Sequence, residues 1–470
     1  MTETATSTNP AAKRPRLFEL SLRVDAAGPR GMQMANNLAF FARGPRYVLR
    51  RMEGFPGTVV PITDRCGSVV LLRGRAAARQ MFTDNETFHR PDGVLDLPPG
   101  NAWSRMFEAV ITANGSEHTR RRKLLMPAVH RTAIAHYTDV FAQTFAESRF
   151  GPDAERGVFD ARAEFLRISK ANMLRCLLGL EPTDELGELA DVIVRLGGDA
   201  LSPGVVAWKR DLSWSPYGRW LRRVAWAYER LAVLIEQRRA EAPRADALSI
   251  LCHTTDESGD RLTTDEIVGE LHGFFSAGFE TTAMTLTASL LPLLGSPDPD
   301  GAETTDPTDP VQLDAAVKEA QRIMPVVPIT LPRRAVAPVT VGETAIPAGA
   351  LVFVSALLEH RNPAVYPEPA LYRPSRWTRP DQASKPYEFL PFGLGPRRCL
   401  GAEFADTQIR TTLRLIAEHQ LPSLVTTHIG YGTVNGVVAG PRKPMLVDTA
   451  TAPGPRLTKI GGGVTAVWRG

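Results

Sequence analysis

A long stretch of helical periodicity over residues 103–290 constrains the fold of this chain more than any other feature. Apolar residues recur there at spacings of three and four, the period of an amphipathic α-helix. Residues 215–242 within this stretch form a basic amphipathic segment. A solvated helix face and a membrane-surface helix both fit that segment, and the solvated face is the simpler interpretation. The sequence therefore predicts a mainly α-helical protein.

The C-terminal part of the chain alternates between irregular, helical and β-rich segments. Residues 298–310 are dense in Asp, Pro, Thr and Gly, which is typical of a loop. A helix is predicted at about 311–324, and short paired strands follow within 333–356. A final helix at about 402–418 precedes a β-rich tail. The pattern predicts a small β-rich region beside the helices.

The composition limits the class of protein. The chain is 43% hydrophobic and 23% charged, as in globular proteins, and its net charge of +4 is too small to indicate nucleic-acid binding. No stretch reaches the about 20 apolar residues of a membrane-spanning helix, and the amino terminus lacks the apolar run of a secretory signal. We expect a cytoplasmic monomer, with a disordered lead-in over residues 1–20 and a single domain over residues 21–470.

Four cysteines lie far apart, without the CxxC pair of a zinc site and without the spacing of a disulfide framework. Three of them, Cys66, Cys176 and Cys252, border apolar runs and are predicted to be buried core thiols. The fourth, Cys399, lies in the glycine-rich string Phe392-Gly-Leu-Gly-Pro-Arg-Arg-Cys-Leu-Gly401. Its surroundings set it apart from the other three.

The loop around Cys399 has features that favour an ionised thiolate ligand. Gly393 and Gly401 permit tight turns and a close approach of the backbone to a flat ligand. Arg397 stabilises nearby negative charge, and a helix that begins near Ala402 turns its amino end toward the sulfur. From these residues alone, an ordinary cysteine in a glycine-rich turn is the simpler alternative.

The string matches F-x-x-G-x-R-x-C-x-G at all five fixed positions, and it therefore resembles the haem-binding signature of the cytochrome P-450 superfamily. The resemblance implies the family's triangular, mainly α fold with a small β-rich region. It also implies haem b, with Cys399 as the iron ligand, between a long distal helix and the helix after the cysteine loop. The signature residues expected to contact the haem are Phe392, Gly393, Arg397 and Gly401.

A second motif lies on a predicted helix at about 264–290, where Thr263 and Glu266 form a capping box at the helix start. The string Ala277-Gly-Phe-Glu-Thr281 resembles the family's oxygen-activation motif. Ala277 and Gly278 are small and are expected to leave room for the haem and a diatomic molecule. The resemblance implies that the Thr281 hydroxyl contacts bound oxygen and that Glu280 relays protons through water.

Glu319 and Arg322 lie three residues apart on the helix predicted at 311–324 and resemble the family's ExxR pair. In the family this pair contacts an arginine from a later loop, which here would be Arg376. Ser375 stands where the family usually has Glu, so the loop match is looser. We expect the three charged residues to be structural, because a buried charge needs its partners.

A third motif concerns the carboxylates of the haem. His118 and Arg122 share a helix face, and their spacing resembles the family's H-x-x-x-R motif, which contacts a haem propionate. Arg333 resembles a further propionate ligand, with its neighbour Arg334 as the alternative. Arg397 is expected to be another propionate contact.

Apolar residues near these motifs are candidates for the lining of a substrate pocket. They stand in the loop at about 90–113, before the oxygen-activation motif, or after the ExxR helix. The candidates are Trp103, Met106, Phe107, Phe274, Val326, Val327 and Ile329.

The resemblance implies a haem-thiolate monooxygenase that hydroxylates or epoxidises an apolar small molecule such as a terpenoid, steroid, fatty acid or polyketide. Electrons would come indirectly from NAD(P)H, through a reductase and a separate ferredoxin- or flavodoxin-type donor. The basic cluster at 120–123, with Arg397 and Arg398, would dock that donor or simply aid solubility. A peroxide-driven haem-thiolate enzyme and a non-enzymatic haem-thiolate sensor stay open as alternatives.

Overall fold

The computed structural model describes residues 57–61, 69–91, 103–105, 109–200, 202, 204–205, 208–294, 303, 305–379, 385–426, 429–435 and 438–450. The lead-in predicted over residues 1–20 lies outside these ranges, and so does Cys66.

Helices make up most of the described chain. They are α1 (Arg75–Thr83), α2 (Gly115–Val129), α3 (Arg131–Ala146), α4 (Ala161–Met173), α5 (Asp184–Ala200), α6 (Pro216–Ala240), α7 (Ala247–His253), α8 (Thr264–Leu294), α9 (Pro310–Ile323), α10 (Ala356–Glu359) and α11 (Ala402–His419). A π-helical segment, Leu174–Leu178, extends α4, and single 3₁₀ turns form at Pro374–Trp377 and Gly395–Arg397.

The strands are short. They are β1 (Val59–Pro61), β2 (Val69–Leu72), β3 (Phe88–His89), β4 (Val158–Asp160), β5 (Arg333–Ala335), β6 (Val339–Val341), β7 (Thr344–Ile346), β8 (Leu351–Val354), β9 (Ser423–Leu424), β10 (Tyr431–Asn435), β11 (Val438–Pro441) and β12 (Leu446–Asp448). The largest sheet has the order β1-β2-β8-β5-β3, in which only the β2–β8 pair is parallel. Small antiparallel groups complete the β-rich part.

The sequence located the main elements well. The helices predicted at 264–290, 311–324 and 402–418 correspond to α8, α9 and α11, and the β-rich segment at 333–356 contains β5 to β8. The capping box forms as expected: Thr263 N donates to Glu266 Oε2 at 2.6 Å, and Glu266 N donates to Thr263 Oγ1 at 3.2 Å. Local signals sufficed because helix starts and stops depend on nearby residues.

The basic segment became α6, whose apolar face is covered by protein. Trp220, Tyr228 and Ile235 on that face are fully buried in a core shared with α2, α3, α5 and α8. Outside that face, the exposed Arg223 and Arg230 form ion pairs with acidic residues of α5. A surface helix of a globular core explains this segment. No helix in the described ranges is long and apolar enough to cross a membrane.

Candidate functional site

The cysteine loop is held by its own backbone and by α1. Cys399 N donates to the Phe392 carbonyl at 2.9 Å, which closes the loop. Gly393 and Gly395 have φ angles of 63° and 72°, in the left-handed region that favours glycine. A Cβ at Gly395 would lie 2.4 Å from the Phe82 carbonyl oxygen of α1. Gly393 is therefore required by the turn, and Gly395 both by the turn and by its contact with α1.

Cys399 is exposed to solvent, whereas Cys176 and Cys252 are buried as predicted. Protein atoms packed around the rest of Cys399 remove water and raise the pKa of its thiol; the Gly401 N–H, Arg398 and Arg122 act in the opposite direction. A coordinated metal ion deprotonates a thiol outright. The loop thus presents one accessible sulfur with a hydrogen-bond donor and positive charge beside it.

Five basic side chains, called the cationic cluster below, come together next to the cysteine loop: Arg90, His118, Arg122, Arg333 and Arg397. Burial lowers the pKa of His118 to about 4, and the positive charges of the other four add to this effect. Burial and positive neighbours likewise lower the pKa of Arg333 to about 9, and those of Arg90 and Arg397 to about 10. The members repel one another because like charges are gathered in a poorly hydrated place.

No described carboxylate forms an ion pair with any member of the cationic cluster. Arg397 Nη2 donates to the Ala113 carbonyl at 2.6 Å and to Asn114 Oδ1 at 2.8 Å, both neutral groups. Arg90 Nη1 donates to the Pro332 carbonyl at 2.8 Å. Arg333 Nη1 and Arg397 Nε are buried without a hydrogen-bond partner. Buried guanidinium groups without an anion fit the two propionate carboxylates of a haem.

Arg333 and Arg334 point in opposite directions, as neighbours on a strand must. Arg333 is only 4% exposed and lies in the cationic cluster. Arg334 is exposed and donates to the Gly349 carbonyl at 3.2 Å. Arg90 was missed by the sequence reasoning, because it reaches the cluster only through the pairing of β3 with β5.

Glu319, Arg322 and Arg376, called the Glu319 cluster below, are brought together and are almost fully buried. Arg322 donates to both Glu319 carboxylate oxygens at 2.8 Å, and Arg376 Nε donates to Oε1 at 3.4 Å. Trp377 Nε1 adds a donor at 3.0 Å. In the same loop Ser375 binds Glu303 through its N–H and its hydroxyl. Ser375, which stands where the family usually has Glu, is therefore held by a carboxylate from a distant part of the chain.

On α8, Ala277 is exposed and Thr281 is half-buried on the same helix face. Thr281 Oγ1 donates its proton to the Ala277 carbonyl at 2.6 Å, so its lone pairs are free to accept. Glu280 is half-buried beside them. Gly278 has a different surrounding from the one expected: a Cβ there would lie 2.9 Å from the Met173 methyl of α4. The small residue at 278 allows helix packing, and the open space lies at Ala277.

The candidate pocket residues divide into two groups, and the first belongs to a loop. Trp103 is 4% exposed and packs on Trp220 and His272, with ring centroids 5.0 and 5.2 Å away. We therefore correct its predicted role from pocket lining to core packing. Met106 and Phe107 lie outside the described residues.

The second group follows the ExxR helix or lies on α8. Val326 is 9% exposed, belongs to a core cluster and accepts from Ala439 N at 2.8 Å, so it too is a packing residue. Val327, Ile329 and Phe274 are only partly buried and keep accessible apolar surface. These three stay candidates for contact with a small molecule.

The predicted basic cluster at 120–123 is largely neutralised by internal ion pairs. Arg120 and Arg121 lie 3.2 and 3.1 Å from Glu266, and Lys123 lies 3.0 Å from Glu257. Arg121 is also buried. The sequence overestimated the free positive charge here, because the acidic partners come from distant parts of the chain.

The sequence is similar to proteins of one family over most of its length. A family model described as Cytochrome P450 matches residues 28–300 and 310–419. A Mycobacterium tuberculosis H37Rv protein provisionally named cytochrome P450 138 is 30% identical over 405 residues, which cover 83% of this chain and 88% of that protein. Another, provisionally named cytochrome P450 135B1, is 30% identical over 378 residues, or 77% and 78% of the two chains.

Solved structures share the fold. Cyanobacterial CYP120A1 with bound retinoic acid matches with a TM-score of 0.70 at 22% identity, covering 87% of this chain and 95% of that one. P450BioI, in complex with an acyl carrier protein that bears hexadec-9Z-enoic acid, matches with a TM-score of 0.67 at 17% identity, covering 88% and 100%. The predicted mainly α fold of this family is confirmed.

Three observations now agree: an accessible cysteine in a haem-type signature loop, an adjacent cluster of cations without a described acid, and a family match over more than half of the sequence. The chain belongs to the cytochrome P450 family, which implies a haem cofactor and a monooxygenase activity that uses O2 and a redox partner.

Proposed function

We propose that this protein binds haem b through Cys399 and uses O2 to insert one oxygen atom into an apolar small molecule. The observation that carries the proposal is the cationic cluster without a described acid beside the accessible thiol. When bound, a thiolate-ligated haem supplies O–O bond cleavage, which the electron donation of the sulfur favours. The protein must hold the group, position the substrate and deliver protons.

The cationic cluster would hold the propionates. Arg333 Nη1 and Arg397 Nε offer unused donors, and charge-assisted pairs of this kind are among the stronger hydrogen bonds. His118 is neutral at pH 7 in the protein alone, because its pKa is lowered to about 4. Two carboxylates nearby would raise that pKa and let His118 donate from both ring nitrogens. Binding the haem would thus relieve a repulsion that folding leaves in place.

On the distal side, the Thr281 hydroxyl oxygen would accept a hydrogen bond from a water molecule that takes part in proton transfer. Because the hydroxyl hydrogen is donated to the Ala277 carbonyl, Oγ1 is ready to accept a hydrogen bond from water. Glu280, one residue earlier and half-buried, would exchange protons with that water. The presence of this acid–threonine pair on α8 supports reductive O2 activation over a peroxide-driven reaction or a sensor role.

The substrate is proposed to be apolar. Phe274, Val327 and Ile329 keep accessible apolar surface, and apolar linings are usual in small-molecule sites. Two proteins of the same fold hold retinoic acid and a carrier-bound hexadecenoate. Terpenoids, steroids, fatty acids and polyketides all fit this class.

The electron donor is proposed to be a separate ferredoxin or flavodoxin, reduced through NAD(P)H. Arg398 beside the cysteine loop is partly exposed, and its nearest acid is Glu403 at 3.5 Å. Since most charges at 120–123 are neutralised internally, docking should be weak and sensitive to salt.

Absorption spectroscopy of the reduced, carbon-monoxide-bound protein tests the proposal. A thiolate-ligated haem gives a strongly red-shifted Soret band, and we expect this band in the wild type and in the control Cys252→Ala. Cys399→Ala should lose it. Its absence from the wild type, or its survival in Cys399→Ala, would overturn the assignment of Cys399 as ligand.

A further inference from the structure

His360 is a fully buried histidine that no motif in the sequence singled out. It directly follows α10 and lies between the Glu319 cluster and the chain that leads to Cys399. Arg322 Nη1 donates to the His360 carbonyl at 2.8 Å. On the other side, Leu390 N donates to the ring nitrogen Nε2 at 2.7 Å. His360 therefore contacts both Arg322 of the Glu319 cluster and Leu390 in the segment that leads to the cysteine loop.

The ring must be neutral with its proton on Nδ1, because Nε2 accepts a hydrogen bond. Burial is the main cause that lowers the pKa of His360 to about 3, and the charge of Arg322 contributes. Nδ1 has no hydrogen-bond partner among the described residues, and the nearby backbone of Arg322 and Gln321 acts against the lowering of the pKa of the ring. The Phe389 ring, 5.2 Å away, packs against the imidazole and fixes its orientation.

Backbone hydrogen bonds continue from Leu390 to the sulfur-bearing residue. The Leu390 carbonyl accepts from Gly393 N at 3.2 Å, which forms the first turn of the signature string. The Phe392 carbonyl, within that turn, accepts from Cys399 N at 2.9 Å. A shift of Leu390 would therefore move Phe392, whose carbonyl accepts the hydrogen bond from Cys399 N.

We infer that His360 is a positioning residue for Cys399: its Nε2 holds the Leu390 N–H and so ties the start of the cysteine loop to Arg322 of the Glu319 cluster. The inference rests on the proposed function, in which Cys399 is the iron ligand. His360 touches no reacting atom. Its expected effect is on the lifetime of the form in which the Cys399 sulfur binds the haem iron.

A matched pair of variants tests this role in the holoprotein. Glutamine in place of His360 offers its side-chain oxygen near the position of Nε2, whereas methionine has similar length and no comparable acceptor. We expect His360→Met to convert from the red-shifted form to a non-thiolate form about 10-fold faster than wild type, since a buried N–H is left unsatisfied. His360→Gln should stay within about 2-fold of wild type, because its side-chain oxygen can still accept from Leu390 N.

The readout is the half-life of the red-shifted Soret band of the reduced, carbon-monoxide-bound protein, with far-UV circular dichroism recorded in parallel. If the wild type lacks the band, the proposed function fails. If the wild type has the band, two outcomes would overturn the inference about His360. One is a half-life of the band in His360→Met equal to that in the wild type. The other is a half-life in His360→Gln as short as that in His360→Met.

Hydrogen exchange of the wild-type holoprotein gives an independent check that also serves if His360→Met does not fold. The Leu390 amide, bonded to a buried nitrogen, should exchange as slowly as core helix amides. Exchange as fast as in an exposed loop would contradict the inference.

Discussion

Two groups of charges lie beside the cysteine loop, one almost fully buried and the other partly buried, and they are built in opposite ways. In the Glu319 cluster one carboxylate accepts from two arginines and an indole, and its members lie at full or nearly full burial. In the cationic cluster four arginines and a histidine meet without a described acid, and two nitrogen atoms are left without partners. The first group is complete within the protein, whereas the second has no described counter-ion, and we propose that the haem propionates supply it.

The difference separates structural charge from binding charge. A completed buried pair is costly to break but contributes little compared with a well-packed apolar core, so its use is to fix geometry. An uncompensated cluster lowers the stability of the protein alone and regains free energy when its anion binds. The two groups should therefore respond in opposite ways to the loss of one charge.

The largest effect is expected in the Glu319 cluster. Glu319→Gln leaves Arg322 and Arg376 buried without a carboxylate, and breaking a buried pair in this way costs about 3–5 kcal/mol. Urea unfolding of the apoprotein measures the change. Glu418→Gln, which removes an exposed pair with Arg414, is the control and should cost under about 1 kcal/mol. Equal effects of the two substitutions would show that the Glu319 cluster contributes no more to stability than an exposed ion pair.

Loss of one charge from the cationic cluster should not destabilise the apoprotein, in contrast to the Glu319 cluster. Arg333→Met removes a charge that has no described acid, so the apoprotein should unfold at the same or a higher urea concentration. The holoprotein should lose haem about 10- to 100-fold faster, because a hydrogen bond to a charged group contributes about 1.5–3 kcal/mol. Transfer of haem to an excess of a haem-scavenging protein gives the rate.

Arg334→Met is the matched control for that experiment, since Arg334 is the exposed neighbour on the same strand. It should change neither apoprotein stability nor haem loss. A destabilised Arg333→Met apoprotein, or haem loss as slow as in Arg334→Met, would show that Arg333 is structural.

The smallest effect concerns pH. The unfolded state binds a proton at His118 near its ordinary pKa of 6.5, whereas the folded apoprotein does so only near 4. Stability should therefore fall as pH drops through this window, by about 1–3 kcal/mol in total. Guanidinium unfolding from pH 7 to pH 4 measures the slope, and His118→Gln should flatten it.

The same pH measurement on the holoprotein tests whether haem carboxylates lie beside His118. Haem carboxylates would favour the charged form of His118, so the difference in slope between wild type and His118→Gln should shrink when haem is bound. The buried His272 and His360 remain in both proteins and cancel in that difference. A difference that is equally large with and without haem would argue against propionates in the cationic cluster.

The parts of the site that could be predicted from the sequence are those formed by residues that are close together in the chain. The turn at Gly393 and Gly395 and the capping box at Thr263 depend on contacts within a few residues, so their geometry follows from the string itself. Helix periods predicted α8, α9 and α11 for the same reason.

What sequence reasoning missed depends on distant contacts. Arg90 reaches the cationic cluster only because β3 pairs with β5, and Glu303 serves Ser375 from 72 residues away. Trp103 was expected at a pocket, but tertiary packing on Trp220 buried it. A linear pattern states which residue types are present and leaves open which surfaces they meet.

The carboxylate of Glu266 has two tasks at the start of α8, since it caps the helix and forms ion pairs with Arg120 and Arg121 of α2. The helix that carries Thr281 and the helix that carries His118 are thereby fastened at one shared joint. Loss of this one carboxylate would therefore leave the first turn of α8 without its cap and α2 without its ion pairs to α8 at the same time.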